Sequence, residues 1–520
     1  MTPKASATSA PGGTASTDPV ASRIETARAL LQARRAAEAL IPAQQAAAMA
    51  PANADAAGLL DQVQTALASG DPALVRLELT AVLNADDGES QLALGQAYAA
   101  ADRPHDAERC FKRALDLGPV REANADLADL YLSVDMWEAA EHHARAVLVA
   151  SGEGRCDDTL VAMAHQILAA VCTARGEREP AERHLDQAYA RQSLFRQPAP
   201  GAAFTTLVLA SRSAGNIPYA SLMPKSQFDR TVWYMEHARP EQIADLGRYA
   251  IVLNAIGDPD IAGASRPAVD AFLAGCGQPV LNPPARVEAT YRHRIGEALA
   301  GVAELIVPRT IRLTAGEIAA EGLAKAVTQA GLAPPVIVRP TGSHGGRGLG
   351  LAGDADALDR MQLDGGADAP DALDAYVTTF HDYRSADGFY RKYRMIFVDR
   401  KPHAYHLAIG GHWMVHHQST DMAGDPTRIA EELAFLRDPQ AAIGPRAMAA
   451  IRAIGQRLDL DYGGIDFSVT AGGQVLLFEA NATMLTHLEP ADGPFAAKNA
   501  YIAPILRAFQ DHLTALAAEG

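Results

Sequence analysis

The chain has 520 residues, a formal net charge of −16 and four cysteines, a length that accommodates about three or four domains with cores of their own. The acidic balance, with no long basic run to offset it, argues against non-specific nucleic-acid binding, and no apolar run approaches the ~20 residues of a membrane helix. Cys110, Cys156, Cys172 and Cys276 form no CxxC pair, so neither a disulfide framework nor a zinc site is supported, and the expectation is a soluble cytoplasmic protein.

Residues 1–20 are rich in Ala, Ser, Thr, Pro and Gly and lack an apolar h-region, which predicts a disordered tail and not a signal peptide. From 21 to 196 the sequence is Ala- and Leu-rich with helical spacing. Leu94, Gly95, Tyr98, Ala107, Phe111, Ala114 and Pro119 fall at the spacings of a tetratricopeptide repeat, a helix–turn–helix unit of about 34 residues. The small Gly95 and Ala107 let two helices approach while Tyr98 and Phe111 fill the space beside them. Leu127, Ala128, Tyr131 and Ala140 repeat the register, as do Leu168, Ala181, Leu185 and Ala188 after an insertion near Ser151–Asp158, and Leu59 to Leu83 reads as a degenerate earlier copy. Such an array stacks into an all-α solenoid that binds a peptide or protein partner, packs on the rest of the chain, or dimerises.

Gln197-Pro198-Ala199-Pro200-Gly201 ends the helical pattern. In 202–285, three short apolar runs (Thr205–Ala210, Tyr249–Asn254, Pro279–Asn282) alternate with helical stretches and predict a small parallel sheet. Loops follow the first two runs, at Gly215–Pro218 and Gly257–Asp260, and loops at the carboxyl ends of such strands often touch ligands. Pro335–Pro340 is a further strand carrying Arg339. A loop follows it: Thr341, Gly342, Ser343, His344, Gly345, Gly346, Arg347, Gly348, Leu349, Gly350. So many glycines cost backbone entropy, and they let main-chain N–H groups wrap a phosphate. Arg339 and Arg347 favour a phosphate cradle over a plain lid, because guanidinium forks match phosphate oxygens. The loop is neither a P-loop nor a dinucleotide fingerprint.

Ala375–Phe380 and Tyr390–Val398 are the next strands. In the second, Lys392, Arg394 and Ile396 alternate onto one face, and the two cations suit an anion unless they merely guard a solvated edge. His403, His406, His412, His416 and His417 follow without the spacing of a helical zinc pair, which favours substrate contacts or ordinary hairpin positions. The stretch Asp459–Met484 then reads as two strands around Gly472-Gly473. With a two-residue turn, Asp466 faces Glu479 across the hairpin. Like charges so placed destabilise a hairpin unless a cation lies between them. Asn481 shares the face of Glu479, and three oxygen ligands suit Mg²⁺ or Mn²⁺ better than zinc.

In order, these pieces resemble the ATP-grasp superfamily, the fold of glutathione synthetase and of the ligases that add glutamate to a ribosomal protein. The resemblance covers about 204–509. It implies an α/β pre-ATP-grasp domain at 202–285 and an α+β ATP-grasp domain at 286–520, with a lid over about 300–375 and the acidic hairpin at 459–484. Asn282-Pro283-Pro284 followed by Tyr291-Arg292-His293-Arg294 looks like the family's junction, with Arg294 where a lysine commonly meets nucleotide phosphate. Arg339 sits where many members have the lysine of a Lys-Pro pair. The glycine loop resembles the lid over the triphosphate, and Tyr376–His381, with Thr378 and Phe380, resembles the hinge whose backbone reads adenine. Arg394, with Lys392, matches the cation held against the transferred phosphate, and Asp466, Glu479 and Asn481 match the magnesium ligands.

The implied cofactors are ATP and Mg²⁺ or Mn²⁺. The implied chemistry is a carboxylate–amine ligation on a small-molecule or peptide substrate through an acyl phosphate. An ATP-grasp small-molecule kinase and a non-catalytic, ATP-sensing repeat scaffold are the alternatives.

Overall fold

The computed structural model describes residues 18–519 apart from 102, 119–120, 152–157, 200, 213–214, 343–347, 362–373 and 416–419. It divides into two compact units at Arg191/Gln192.

Among the described residues the first unit is a run of ten helices: α1 (Pro19–Gln32), α2 (Ala36–Met49), α3 (Ala54–Ala68), α4 (Pro72–Leu83), α5 (Gly88–Ala100), α6 (Pro104–Asp116), α7 (Arg121–Ser133), α8 (Trp137–Ser151), α9 (Asp158–Ala174) and α10 (Arg178–Arg191). The first begins inside the stretch expected as a tail, because the Asp18 carboxylate accepts from Val20 N at 2.9 Å and caps it. The repeat positions Leu94, Tyr98, Ala107, Phe111, Ala114, Leu127, Ala128, Tyr131, Ala140, Leu168, Ala181 and Ala188 are all buried; Pro119 lies outside the described residues. Gly95 is small for a stated reason: a Cβ there would stand 2.5 Å from the Phe111 ring. The α5–α6 contact therefore depends on that pair.

The second unit begins with an edge strand, β1 (Leu194–Gln197), so the chain leaves the helical array a few residues before the Pro/Gly break that was expected to mark the boundary. Leu-Phe-Arg-Gln has no strand pattern of its own and is a strand because it pairs antiparallel with a neighbour. The first sheet also holds β2 (Thr205–Ala210), β3 (Asp229–Tyr234), β4 (Ile251–Asn254) and β5 (Val280–Leu281), in the order β1-β3-β2-β4-β5, with all but β1 parallel. The three expected strands are present. The charged start of β3 hides it in the sequence, and Arg230 is nonetheless buried, donating to Met223 O at 2.6 Å.

Beyond this sheet come β6 (Leu305–Ile306), β7 (Thr310–Leu313), β8 (Val336–Pro340), β9 (Gly350–Ala352) and β10 (Ala375–Thr379). Strands β7-β10-β8-β9 form an antiparallel sheet over its own small core of Leu313, Val327, Val336, Val338 and Val377. The third sheet runs β12-β11-β13-β14-β6, with β11 (Tyr390–Val398), β12 (Lys401–Gly410), β13 (Tyr462–Val469) and β14 (Val475–Asn481). Helices Pro445–Leu458 and Asn499–Glu519 bury apolar side chains against it. Asn282 ties the first sheet to the third. Fully buried after β5, its Oδ1 accepts from Asp461 N at 2.8 Å and Tyr462 N at 3.1 Å, and its Nδ2 donates to Tyr462 O at 2.6 Å. One amide side chain thus fixes where β13 starts.

Candidate active site

Strands β13 and β14 pair antiparallel and set Asp466 directly opposite Glu479. The pairing arises differently from the expected two-residue turn. Thr470 N donates to Gln474 O at 2.9 Å, so the connection is the loop Ala471–Gly473, with Gly473 at φ +79°. That loop shifts the register by one residue. A β-bulge at Phe478, between the pairs Asp466–Glu479 and Phe467–Leu477, shifts it back.

Strand β11 lies on the other side of β13 and pairs Arg394 with Asp466. The Arg394 fork donates to both carboxylate oxygens, Nε to Oδ1 at 2.6 Å and Nη2 to Oδ2 at 2.9 Å. Lys392 Nζ stands 2.8 Å from Oδ2. Glu479 is met by Arg292, in a close contact with its Oε2, and by Arg339 Nη1 at 3.8 Å from the same oxygen. The structure thus places the protein's own cations against the two acids.

These contacts set the ionisation of the site. Burial pushes the Asp466 carboxyl up, but Arg394 and Lys392 outweigh it and hold the group well below the usual carboxylate range. Burial and the Asp466 charge push Glu479 up, Arg292 and Arg339 pull it down, and it settles at about 2. Arg339 is itself pushed down to about 10 by burial and by the like charge of Arg292.

All six groups line one cavity of about 460 Å³. Among the described residues it presents four cations (Arg292, Arg339, Lys392, Arg394) against two carboxylates (Asp466, Glu479), a surplus of two positive charges. The same cavity also has apolar walls, among them Val307, Ile337, Phe380, Trp413, Leu477 and Phe478. Phe380 meets Trp413 edge-on at 5.9 Å, and the Thr310 and Thr378 hydroxyls are 3.0 Å apart. Apolar walls and a cluster of cations thus share one cavity.

Of the residues singled out in the sequence, Arg339, Thr378, Phe380, Lys392, Arg394, Asp466 and Glu479 come together around this cavity. Gly342 and Asn481 line a small adjoining cavity that shares Arg292 and Arg339. Asn481 Oδ1 accepts from Thr483 N at 3.0 Å. Gly348 has a left-handed φ of +69°, and its neighbour Leu349 lines the larger cavity. Ser343, His344, Gly345, Gly346 and Arg347 lie outside the described residues.

Arg294 is not brought to this site: it is exposed, its guanidinium 5.7 Å from the centre of the Tyr291 ring, and it lines neither cavity, whereas Arg292 lines both. The segment forms a tight turn without helical or strand periodicity, so nothing in the sequence fixed which arginine faces inward. Of the histidine cluster, His403 and His406 are on β12, His406 is buried against Glu432 at 2.5 Å, and His416 and His417 fall outside the described residues.

The donor set fits magnesium or manganese. Among the described residues no group of three or more His, Cys, Asp or Glu gathers as a cage, but Mg²⁺ is ordinarily held by one or two carboxylates together with substrate phosphates. Asp466 and Glu479 would supply that pair, and Asn481, on the same strand as Glu479 but lining the adjoining cavity with its Oδ1 accepting from Thr483 N, would be the third oxygen.

No protein-family model matches the chain, and no curated protein matches it. Solved structures similar to it include the D-cycloserine synthetase DcsG, 13% identical with a TM-score of 0.36, covering 60% of this chain and 99% of that one. A RimK-domain ATP-grasp protein from Sphaerobacter thermophilus is 16% identical with a TM-score of 0.34 over 58% of this chain and 98% of its own. The MamA protein is 16% identical with a TM-score of 0.21, covering 34% of this chain and 92% of that one.

Proposed function

We propose that this chain is an ATP-dependent carboxylate–amine ligase whose nucleotide lies in the cavity between β8, β10, β11 and the acidic hairpin. What carries the reading is the union of apolar walls, a surplus of two positive charges and a facing pair of carboxylates in one 460 Å³ space. Adenine would stack against the apolar walls beside Phe380 and Trp413. The triphosphate would lie against Arg292, Arg339, Lys392 and Arg394. Asp466, Glu479 and Asn481 would hold magnesium, which when bound neutralises the charge that develops on the β- and γ-phosphates.

In the first step a substrate carboxylate oxygen attacks the γ-phosphorus and the bond to the bridging oxygen breaks, giving an acyl phosphate and ADP. An amine nitrogen then attacks the acyl carbon, inorganic phosphate leaves, and the amine's proton passes to solvent. Arg394 and Lys392 serve both steps as fixed positive charge facing the transferred group, and the site asks for no side-chain nucleophile. The helical unit is proposed to recruit a peptide or protein substrate, the usual use of a repeat array. Among the described residues no helix is long and apolar enough to cross a membrane.

Calorimetric titration with ATP in the presence of Mg²⁺, wild type against Glu479→Gln, tests the site. The expected result is binding that requires Mg²⁺ and is at least tenfold weaker in the variant; equal affinities would sink the reading. ADP release that needs both a carboxylate and an amine, with free phosphate as product, separates a ligase from a kinase.

A further inference from the structure

The two carboxylates that would hold a divalent ion are already neutralised by the chain itself. Asp466, its side chain 1% exposed, has both oxygens engaged: Arg394 holds Oδ1 at 2.6 Å and Oδ2 at 2.9 Å, and Lys392 holds Oδ2 at 2.8 Å. Arg292 and Arg339 meet Glu479. A bare divalent cation entering this space meets four positive side chains and two acids whose charge is spent. Like charges at such range repel, and the low dielectric of a partly buried cavity screens them poorly.

A polyphosphate reverses the balance. Its oxygens accept from guanidinium forks and ammonium groups as a carboxylate does, so each cation leaving an acid oxygen finds an equivalent partner. The four cations are each between 14% and 23% exposed. They therefore stand at the cavity wall, where such an exchange is open to them.

We propose that Lys392 and Arg394 are internal counter-ions of Asp466, so that this site takes a divalent cation only together with a polyphosphate and never alone. The proposal deepens the nucleotide reading, since ATP is the polyphosphate that reading supplies, but its metal-alone half stands on the ion pairs. Lys392 is the weaker clamp, a single ammonium on a flexible stem beside a two-point fork, and it is the one whose removal leaves Asp466 still paired.

The experiment is Mn²⁺ binding to the full chain followed by the loss of the free-ion electron paramagnetic resonance signal, without nucleotide. Wild type is compared with Lys392→Met and with Lys392→Met combined with Asp466→Asn. Lys392→Gln stands in should the methionine variant fail to fold, as judged by its melting temperature. Lys392→Met is expected to bind Mn²⁺ alone at least tenfold more tightly than wild type, and Asp466→Asn to abolish the gain. Wild type is expected to recover Mn²⁺ binding when inorganic tripolyphosphate or a non-hydrolysable ATP analogue is added.

Wild type binding Mn²⁺ alone as tightly as Lys392→Met would overturn the proposal, as would a variant that gains nothing. Failure of both polyphosphates to promote Mn²⁺ binding would overturn it too. Promotion by tripolyphosphate without any effect of the ATP analogue would uphold the counter-ions and remove the nucleotide reading.

Discussion

Asp466 and Glu432 are both fully buried carboxylates of the second unit, and the chain treats them differently. Glu432, on the helix Pro426–Arg437, accepts from Leu407 N at 3.2 Å and faces His406 at 2.5 Å and Lys498 Nζ at 3.1 Å. Lys498 is 2% exposed, reaches Glu489 at 3.2 Å, and sits 5.7 and 5.6 Å from the ring centres of Tyr405 and Phe495. Every partner of Glu432 is thus a core group held from several sides. Asp466 is paired through both oxygens, but its partners Lys392 and Arg394 are 19% and 22% exposed on a cavity wall. A buried acid is therefore no sign of function in itself. What separates the two is whether the partners can be given a substitute. Nothing can reach Lys498 to replace Glu432, whereas a ligand in the cavity can take Lys392 and Arg394 from Asp466.

The comparison breaks most sharply in stability. Lys498→Met leaves Glu432 buried and short of its cation, and removing one partner of a buried pair costs about 3–5 kcal/mol. Lys392→Met leaves the Arg394 fork on Asp466 and should cost far less. Urea unfolding of the two variants, read as midpoints at constant slope, checks the order. Equal losses would mean that the cavity pair is as structural as the core pair.

How far the sequence could foresee this differs from strand to strand. The hairpin was legible because alternation places apolar and acidic residues on opposite faces, and because two facing acids need an explanation. Its central pair was anticipated through a turn that the chain does not use: the Ala471–Gly473 loop and the bulge at Phe478 offset each other. Register errors of one residue ordinarily invert a strand's faces, so the agreement rests on a compensation that no local pattern announces. The alternation of Lys392 and Arg394 was equally plain. That they clamp Asp466 was not, since it depends on pairing β11 with β13 across 72 residues of sequence. The helical repeats were the most legible part, since their register positions are small, leucine or aromatic side chains and, of those described, all but Leu185 are buried. Strand β1 was hidden because its neighbour makes it, not its own composition, and β3 because it opens on the charged Asp229 and Arg230.

The second effect concerns binding. Arg292 lines the cavity and contacts Glu479, while Arg294, two residues on, is exposed over Tyr291. Arg292→Met is expected to weaken Mg²⁺-dependent ATP binding at least tenfold, about 1.4 kcal/mol. Arg294→Met should leave it within a factor of two. Calorimetry on both variants decides which arginine the phosphates meet, and the reverse order would return the role to Arg294.

The smallest effect is a slope in acid. Asp466 and Glu479 have folded-state values below their unfolded ones, Glu479 at about 2. Such groups contribute stability that is fully present above the unfolded carboxylate range, near pH 4, and is lost as pH falls through the folded value. Glu432, also lowered, because His406 and Lys498 outweigh its burial, contributes in the same sense. Unfolding free energy should therefore fall with pH from about 4 toward 2, and Asp466→Asn, which removes one of the titrating acids, should make that limb shallower. Urea titrations at several pH values across the window measure it. Because Asp466 gives up its clamps to a polyphosphate in the scheme above, saturating tripolyphosphate with Mn²⁺ should alter the limb of wild type more than that of the variant, in which only Glu479 still loses its partners. An unaltered wild-type limb would mean that Asp466 keeps Lys392 and Arg394 whatever the cavity holds, and would place it with Glu432 among the acids of the core.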